Sequence, residues 1–387
     1  MAKKQKRRRK KGRAGKIIFV LEILVLLILL AGIFVYAKIT DKLDLMGGKD
    51  FDIKNVGFNQ SVIEASEYTE DYQVIALVGV DSRDGGLEGG NSDTMMLACI
   101  DNSTKEVRLI SIYRDTLLRV GEDSDGNGKY RKANYAYNVG GPEQFLTMIN
   151  SNLDLMVTDY VTVDFSAVAI VVDLLGGIEV DLTAEEIKHL NNYCVETSEV
   201  TGGDYEKLPE GEPGVYTLNG VQAVSYCRIR YTSGNDFMRT ARQRLVISKM
   251  VEKALKADLS TLNSIMDEVF PMISTSFSKT EIVKLGSSLL SYNLGETAGF
   301  PFSHYMLDVS MWDLSDPLDC VAPITLESNV VELHEWLFGE ENYQVSDELK
   351  AYSDRIVDLT GYGDDAIEKA HEAAQSASQG TSEAADM

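Results

Sequence analysis

The stretch Val74-Ile75-Ala76-Leu77-Val78-Gly79-Val80 is a continuous apolar run that ends abruptly at Asp81. A continuous run, rather than an alternation of apolar and polar residues, is typical of a strand that is buried on both faces. Two further segments, Thr94–Ile100 and Val107–Ile112, are also predicted to be strands. A sheet built from such strands requires helices to cover it.

Helical patterns do follow, and they alternate with strand patterns. Ser278-Lys-Thr-Glu281 is a capping box, and Asn235 or Asp236 is a suitable N-cap for the longest helical pattern. Strands are predicted at Val157–Phe165 and Ile178–Leu182, and helices at Pro142–Leu153, Ser166–Leu175, Leu218–Tyr226, Asn235–Leu259, Ile282–Leu290 and Ser328–Phe338. This alternation predicts an α/β fold in which a mixed central sheet is covered by helices, in a three-layer α-β-α arrangement.

The N-terminal region combines a basic cluster with an apolar segment. Residues 1–16 contain ten Lys or Arg and no acid, and residues 17–37 contain one charged residue, Glu22. At 1.5 Å per residue the apolar segment spans ~30 Å, which is the thickness of the hydrocarbon layer. Basic residues belong on the cytoplasmic side. We therefore predict a retained anchor with the rest of the chain outside the cell; a cleaved signal peptide or a nucleic-acid-binding arm is the alternative.

The rest of the chain is strongly acidic, because the net charge is −23 although ten basic residues lie in the first 16. Such a body repels nucleic acid, which is therefore not an expected partner. The predicted segments are a basic cytoplasmic tail (1–16), a transmembrane anchor (17–37), an extracellular stem (38–70), the main domain (71–345) and an acidic, partly disordered tail (346–387).

The chain has four cysteines, and they fall into two groups. Cys99 and Cys227 lie in apolar runs and are predicted to be buried packing residues. Cys194 and Cys320 have more polar neighbours, and an outward-facing domain permits a disulfide, so a Cys194–Cys320 bridge is a hypothesis.

Charged residues stand where the first two predicted strands meet a loop. Asp81 follows the first strand, with Arg83 two residues later, and Asp93 precedes the second strand. Strand ends form ligand crevices in open α/β sheets, and two converging carboxylates suit Mg²⁺ bound to substrate phosphate oxygens. Taken alone, this stretch favours ordinary turn chemistry over a metal site.

A second charged pair, Arg114-Asp115, follows the third predicted strand. It is either a structural ion pair or a means of bringing a cation to the same sheet edge as Asp81 and Asp93. The pair alone does not distinguish these interpretations.

The strongest cluster is an arginine corner, in which five arginines fall within 17 residues of an acidic chain. Arg228 and Arg230 are two apart on a predicted extended segment and therefore share a face. Arg239 and Arg242 are neighbours on the next helix, with Gln243 one turn beyond Arg239. Arginine binds phosphate oxygens in a bidentate manner, and a helix N-terminus attracts anions. We predict an anion site, with structural salt bridges as the alternative.

Several other catalytic chemistries lack the residues they need. The sequence has no Gly-x-Ser-x-Gly elbow, P-loop or HExxH motif, which disfavours Ser/His hydrolases and zinc enzymes. The histidines all lie outside the charged clusters, at His189, His304, His334 and His371. Arginine, aspartate and Mg²⁺ remain, and this set suits phosphoryl transfer by positioning and charge neutralisation.

An ordered series of short motifs between residues 71 and 258 resembles the LytR-CpsA-Psr family of cell-envelope glycopolymer ligases. Each motif is weak alone, but the ordered set is highly specific. The motifs are Val78-Gly-Val-Asp81-Ser-Arg83, Ser92-Asp93-Thr94, Ser111-Ile-Tyr-Arg114-Asp115-Thr116, Lys132-Ala-Asn134-Tyr-Ala-Tyr, Gly140-Gly141-Pro142, Val161-Thr-Val-Asp164-Phe, Leu174-Leu-Gly-Gly-Ile-Glu-Val-Asp181, Leu218-Asn-Gly-Val-Gln222-Ala and Arg242-Gln243. A basic N-terminus with a single anchor is also similar to the family's layout.

The resemblance implies an enzyme that transfers a glycopolymer, such as teichoic acid or capsule, from a polyprenyl-pyrophosphate carrier to peptidoglycan through a phosphodiester. It implies that Asp81 and Asp93 hold Mg²⁺ and that apolar helix faces form a tunnel for the prenyl chain. The implied catalytic residues are Arg114, Asp115 and Asp81. The implied pyrophosphate ligands are Arg83, Arg114, Arg228, Arg230, Arg239, Arg242 and Gln243, and Asp236 matches a further motif acid.

Three features depart from the family's pattern. Tyr113 stands where proline is common, Arg244 replaces a frequent second glutamine, and the loop 122–131 is acidic and rich in glycine. None of these changes touches the implied metal pair.

Two alternative functions remain open, a polyprenyl-pyrophosphate pyrophosphatase and a non-catalytic lipid-binding regulator of the envelope.

Overall fold

The computed structural model describes residues 43, 46–48, 50–64, 71–80, 87, 92–230, 235–288, 291–307 and 319–363. The predicted anchor, 17–37, and the basic tail lie outside these ranges. Among the described residues, none of the helices combines the length and the apolar character that a membrane crossing requires. The contacts divide the chain into Met1–Met46 and Gly47–Met387, and the fold described below is that of the second unit.

Strands and helices alternate along this unit. Its strands are β1 (Tyr72–Val80), β2 (Ser92–Asp101), β3 (Glu106–Ile112), β4 (Leu117–Glu122), β5 (Gly128–Lys132), β6 (Asp159–Asp164), β7 (Ile178–Leu182), β8 (Gly214–Leu218), β9 (Ile273–Thr275), β10 (Asn293–Phe300), β11 (His304–Leu307) and β12 (Cys320–Pro323). Its helices are α1 (Gln60–Glu64), α2 (Tyr135–Leu153), α3 (Phe165–Leu174), α4 (Ala184–Thr201), α5 (Gly220–Arg228), α6 (Asn235–Ala254), α7 (Leu259–Val269), α8 (Lys279–Ser288), α9 (Leu326–Phe338) and α10 (Asp347–Thr360).

The central sheet has the strand order β10-β3-β2-β1-β6-β9. β1 runs antiparallel to β2 and parallel to β6, and β3 runs antiparallel to β2 and parallel to β10. The sheet is therefore mixed, as predicted. Val80 pairs with Ser92 of β2 and with Asp164 of β6, so the carboxyl ends of β1 and β6 meet the start of β2 at one edge.

Helices cover both faces of this sheet, which confirms the predicted architecture. On one face α2 and α9 pack on β1, β2 and β3 in a core that includes Ala76, Leu97 and Ile110, and α10 packs on α2, α9 and β4. On the other face α3, α6 and α7 enclose an apolar cavity against β1 and β6. A second core joins α4 and α5 to the two-stranded antiparallel sheet of β7 and β8.

The predicted strands match β1, β2, β3, β6 and β7 to within two residues at each end. Helix α2 is longer than predicted, because a short segment precedes Pro142. Gly140 and Gly141 break the helix between the two segments, and Gly141 has φ 60° and ψ −150°, a conformation that essentially only glycine adopts. Helices α4, α7 and α10 were not predicted.

The described part of the predicted stem is bound along α2. Glu143 accepts hydrogen bonds from Asp52 N (2.7 Å) and from the Asn55 amide, and Asn59 donates to Ser151 O (2.9 Å) near the other end of α2. These contacts, spread over two turns and more of α2, hold residues 52–59 against this helix.

The domain also extends past the boundary predicted at residue 345. Ser346 caps α10 and its backbone N donates to the buried Asp154 carboxylate at the end of α2 (2.7 Å). Leu349 and Ile356 of α10 are fully buried in the main core. Residues 346–360 are therefore part of the folded domain and not of a tail.

The proposed Cys194–Cys320 bridge is wrong, because all four cysteines are free and buried. Cys194 lies in the second core, and Cys320 lies in the core of the central sheet. The two side chains therefore lie in separate cores.

Thiol reactivity is expected to follow from this burial. Burial raises the pKa of Cys99, Cys227 and Cys320 to about 12 and also raises that of Cys194, so the reactive thiolate is scarce. We expect a thiol-labelling reagent to leave the native, non-reduced protein unlabelled and to add four labels after denaturation, as measured by mass spectrometry. Two labels after denaturation would instead indicate a disulfide.

Candidate active site

The turn 113–116 follows β3, and its backbone is fixed from two sides. Tyr113 N donates to Phe300 O at the end of β10 (2.9 Å), and Asn134 N donates to Arg114 O from the start of α2 (3.0 Å). The side chains of Arg114 and Asp115 therefore extend from a rigid backbone. A site that positions a ligand requires such a backbone.

Arg114 lies at the centre of an ion network on this turn. Its Nη1 donates to Asp93 Oδ1 at the start of β2, and its Nε lies 3.7 Å from Asp115 Oδ1. Lys132, the last residue of β5, places its Nζ 3.4 Å from the same Asp115 oxygen. The four side chains are 18 to 29% exposed, so a ligand can still reach them.

Sequence reasoning missed Lys132 as a site residue. The one signal for it was its place at the start of the motif Lys132-Ala-Asn134. The physical reason for its position is the β4–β5 hairpin, which pairs Leu117 with Lys132 and so returns the chain to the Arg114 turn. Hairpin pairing of this kind is not visible in a short strand that carries mostly polar residues.

The predicted metal pair is described in part. Asp81 and Arg83 lie outside the described residues. Asp93 is described, and its carboxylate joins the ion network of Arg114. Across the described ranges, no group of three or more His, Cys, Asp or Glu side chains is arranged to hold a metal.

Two arginines of the predicted corner form structural ion pairs with α4. Arg242 is 3% exposed, and its Nε donates to Glu186 Oε1 (3.0 Å). Arg228 donates to Glu196 (2.9 Å) and to Thr197 (3.0 Å). Arg228 is the last residue of a helix, so the prediction that it lies on an extended segment was wrong. The alternative of structural salt bridges accounts for these two residues.

The other members of the corner have different surroundings. Arg239 and Gln243 lie one turn apart on the inner face of α6 and are 2% and 5% exposed. Gln243 lines the apolar cavity, and its Oε1 is buried without a hydrogen-bond partner among the described residues. Arg230 follows α5 and is partly buried, and the side chain of Asp236 lies outside the described part.

The apolar cavity has a volume of about 350 Å³. Its walls are aliphatic side chains of β1, β6, α3, α5, α6 and α7, such as Val163, Val171 and Ile247. Thr94, the residue after Asp93, also lines it, so the cavity reaches the start of β2, the strand from which Asp93 joins the ion network. Asp164 is the charged residue of the lining, and its carboxylate caps α3 by accepting a hydrogen bond from Ala167 N (2.7 Å). Burial raises the pKa of this carboxyl. The sequence did not single out these positions, because a cavity lining has the same composition as a core.

An aromatic cluster adjoins the Arg114 turn. The Tyr113 ring packs edge-on against Phe237 of α6 (4.6 Å between centroids) and against His304 of β11 (5.7 Å). His304 was predicted to lie outside the charged clusters, but the fold brings it next to one. Burial lowers the pKa of His304, so its imidazole is neutral at pH 7.

The sheet, the ion network at its edge and the adjoining apolar cavity define a class of protein. The sequence profile of the LytR_cpsA_psr family matches residues 38–308, which is well over half of the chain. The chain therefore belongs to the LytR_cpsA_psr family.

Several relatives of known name are similar to this chain. The polyisoprenyl-teichoic acid–peptidoglycan teichoic acid transferase TagU of Enterococcus faecalis is 32% identical over 54% of this chain and 63% of its own length. Biofilm regulatory protein A of Streptococcus mutans is 30% identical over 57% of this chain and 52% of its own length. The chain thus spans between half and two thirds of these relatives. The crystal structure of Bacillus subtilis TagV has the same fold, with a TM-score of 0.52, 21% identity and coverage of 72% of this chain and 100% of TagV.

Proposed function

We propose that this chain is a phosphotransferase that moves a glycopolymer from a polyprenyl-pyrophosphate carrier to peptidoglycan through a phosphodiester bond. The observation that carries the proposal is the junction at Asp93 and Thr94. On one side lies a network of two cations and two carboxylates, and on the other an apolar cavity of about 350 Å³. An isoprenoid pyrophosphate has matching parts, a charged head and a long apolar tail. The name of the TagU relative supports the same reaction.

In the proposed reaction, Arg114 and Lys132 bind phosphate oxygens of the donor and orient it. A sugar hydroxyl of peptidoglycan attacks the sugar-side phosphorus, and a new P–O bond forms. The P–O bond to the bridging oxygen breaks, so polyprenyl monophosphate leaves with the bridging oxygen. Asp115, which lies beside both cations, accepts the proton of the attacking hydroxyl. Fixed cations around the phosphates stabilise the charge that develops in such a step.

We also propose Mg²⁺ as the cofactor. Asp93 offers a hard carboxylate oxygen one residue before the cavity-lining Thr94, and Asp81 would be the second ligand. Carboxylates together with substrate phosphates are the usual surroundings of protein-bound Mg²⁺. When bound, the ion would neutralise charge on the pyrophosphate. Asp93 is shared with Arg114, so the guanidinium holds the carboxylate in place for this role.

The proposed location is the outer face of the cell membrane, with residues 17–37 as a single anchor and the N-terminus in the cytoplasm. Two arguments support it. Ten basic residues precede the apolar segment, and such clusters stay on the cytoplasmic side. The proposed donor cannot leave the bilayer, so an enzyme that uses it has to work close to the membrane surface.

The test is an assay of the full chain in detergent with a lipid-pyrophosphate-linked oligosaccharide and peptidoglycan fragments. We expect a phosphodiester-linked product that disappears when Mg²⁺ is chelated and returns when it is restored. Release of polyprenyl monophosphate without an acceptor product would favour the pyrophosphatase alternative. Lipid binding without turnover under any acceptor would favour a regulator, the role that the name of the Streptococcus mutans relative suggests.

Filling the apolar cavity should weaken lipid binding. In Val171→Phe the ring occupies the space of about two methylene groups, each worth ~0.8 kcal/mol when buried, so the affinity for a prenyl lipid should fall about tenfold. The measurement is binding of geranylgeranyl pyrophosphate by calorimetry. The matched control is Val215→Phe on β8, where the side chain is 67% exposed. Equal affinity of the two folded variants would rule out the cavity as the lipid site.

A further inference from the structure

A second cavity, of about 430 Å³, lies on the face of the central sheet that α2 covers. Its walls are residues 48, 50 and 51, residues 137–143 of α2, and the strands β6 and β9. The volume falls within the range of small-molecule sites, ~300–1,000 Å³. Val139 is 57% exposed at the edge of this cavity, and Asn138 beside it is also exposed, so a ligand in solution has access.

Hydrogen bonds hold the walls of this cavity in place. An isolated bridge pairs Gly47 with Ser274 of β9, and the Ser274 and Tyr160 hydroxyls share a hydrogen bond of 3.1 Å. On the α2 side, Glu143 accepts a hydrogen bond from Asp52 N (2.7 Å). The cavity is therefore preformed, and a ligand that enters it needs little rearrangement of the protein.

The lining combines an aromatic floor with a polar rim. Tyr137 and Tyr160 form the floor and are 1% exposed, and the Phe51 ring packs edge-on against Tyr160 (5.1 Å between centroids). The carboxylates of Asp50 and Glu143 belong to the rim. Ligand sites commonly combine aromatic walls with a few polar groups that fix the orientation of the ligand. A saccharide has matching surfaces, because its ring has apolar C–H faces and its edge carries hydroxyl groups.

The Gly140-Gly141 break in α2 supplies backbone groups to the same lining. A glycine presents only backbone atoms, so peptide groups form this part of the wall. A Cβ at Gly141 would meet no atom within 4 Å, so the backbone conformation, and not the packing, requires glycine there. Strained backbone of this kind occurs at ligand sites, and the missing side chain lets a ligand approach the peptide groups closely.

The charge of the lining distinguishes this cavity from the Arg114 network. Asp50 and Glu143 are its charged residues, and none of the described residues that line it is Lys, Arg or His. Two carboxylates without a cation repel the phosphates of a lipid pyrophosphate. The cavity therefore suits a neutral ligand with hydroxyl or amide donors, since carboxylates accept hydrogen bonds.

The cavity is also close to the proposed reaction centre. Asn134 N, at the start of α2, donates a hydrogen bond to Arg114 O (3.0 Å). Asn138 of the lining lies one helical turn later, ~6 Å along the helix axis. A chain of a few sugar units that is held in the cavity is long enough to bring a hydroxyl to the Arg114 turn.

We propose that this cavity is the acceptor subsite, which binds neutral sugar units of the peptidoglycan chain and orients a hydroxyl toward the donor. The inference rests on the proposed function, for which it supplies the location of the second substrate. The prenyl chain of the donor and the sugar chain of the acceptor then occupy cavities on opposite faces of the sheet, so the two substrates do not compete for one site.

The test uses the full chain in detergent and measures the KM for peptidoglycan fragments, the binding of geranylgeranyl pyrophosphate and the binding of chitotetraose, a neutral saccharide probe. In Val139→Trp the indole fills the edge of the cavity. This variant should raise the acceptor KM and the chitotetraose Kd about tenfold or more and leave the affinity for the lipid within about twofold. The matched control is Val195→Trp at a helical position of α4 that is 50% exposed, which should behave like the wild type in all measurements.

Asp50→Asn is a second variant, and it changes the charge of the rim with little change in shape. Asp50 is exposed, so the substitution should not affect folding. The variant replaces a charge-assisted hydrogen bond with a neutral one, and the acceptor KM should rise about fivefold. The control is Asp358→Asn on the exposed side of α10.

An acceptor KM and a chitotetraose affinity that are unchanged in both variants would overturn the proposal. If Val139→Trp does not fold, or weakens the lipid as much as the acceptor, Asp50→Asn decides, and a wild-type acceptor KM of that variant would overturn it. A wild type that binds chitotetraose at Val139 but transfers nothing contradicts the proposed function and supports the cavity as a saccharide site. Normal transfer by the wild type and by Val139→Trp, without chitotetraose binding, contradicts the cavity alone.

Discussion

Arg114→Ala is expected to lower kcat/KM for glycopolymer transfer by about a hundredfold. Loss of one charged contact to a developing phosphate charge corresponds to ~3 kcal/mol of barrier, and each 1.4 kcal/mol is tenfold in rate. The change also leaves Asp93 without the guanidinium that pairs with it. The measurement is the transfer assay with a lipid-pyrophosphate donor at several donor concentrations.

Two comparisons make this result specific. Arg355→Ala removes a positive charge from the exposed face of α10 and should leave transfer within about twofold of the wild type, as expected for an exposed charge. Arg114→Lys keeps the charge but loses the planar fork, so it should recover part of the lost rate. Wild-type transfer by Arg114→Ala would remove this residue from the proposed mechanism.

The charged residues at this edge of the sheet could be predicted from the sequence, because they lie where the local apolar patterns begin or end. Charged residues flank the apolar runs of β1, β2 and β3. Strand ends at the same edge of a sheet lie close together. One of the two interpretations of the pair Arg114-Asp115 brought a cation to the same edge as Asp93, and the ion network joins these residues. Which of these charges pair was not predictable, since β2 and β3 had no known register.

The surroundings of the arginines did not follow from the sequence, for a physical reason. The partners of Arg228 and Arg242 belong to α4, whose long polar face gave no clear helical pattern. Glu186 forms a capping box with Thr183 at the start of this helix, and this helix-start signal is present in the sequence. Without α4, five arginines in an acidic chain looked like a single anion site.

The cavity and the buried cysteines illustrate the same limit. A row of valines and isoleucines has the same composition whether a neighbouring helix packs against it or lies farther away and leaves a cavity. The spacing of the helices depends on the packing of the whole domain. Cys320 has polar sequence neighbours and yet points into the core from β12. The polar neighbours, such as Asp319, precede β12, and all four residues of this strand are buried.

Arg242→Met is expected to lower the free energy of unfolding by about 3–5 kcal/mol, because it leaves the Glu186 carboxylate buried without its partner. The pair is largely shielded, with side chains 3% and 11% exposed. The matched control is Arg228→Met. Glu196, the partner of Arg228, is 46% exposed. An exposed ion pair of this kind contributes about 1 kcal/mol or less to the free energy of unfolding. Denaturant titration of both variants measures the difference, and the double variant Arg242→Met/Glu186→Met should recover much of the loss. A stable Arg242→Met protein that has lost lipid binding would restore Arg242 to the pyrophosphate site.

The pH dependence of this loss gives the pair a second signature. Burial alone raises the pKa of Glu186, but hydrogen bonds from Thr183 and Arg242 outweigh it and hold the pKa below its usual range. A lowered folded-state pKa contributes stability above the unfolded value of about 4.3, and this contribution disappears as the pH falls through the folded value. The stability gap between the wild type and Arg242→Met should therefore be full at pH 7 and narrow below about pH 4. A gap that stays constant down to pH 3 would show that Arg242 stabilises the fold by packing and not by its charge.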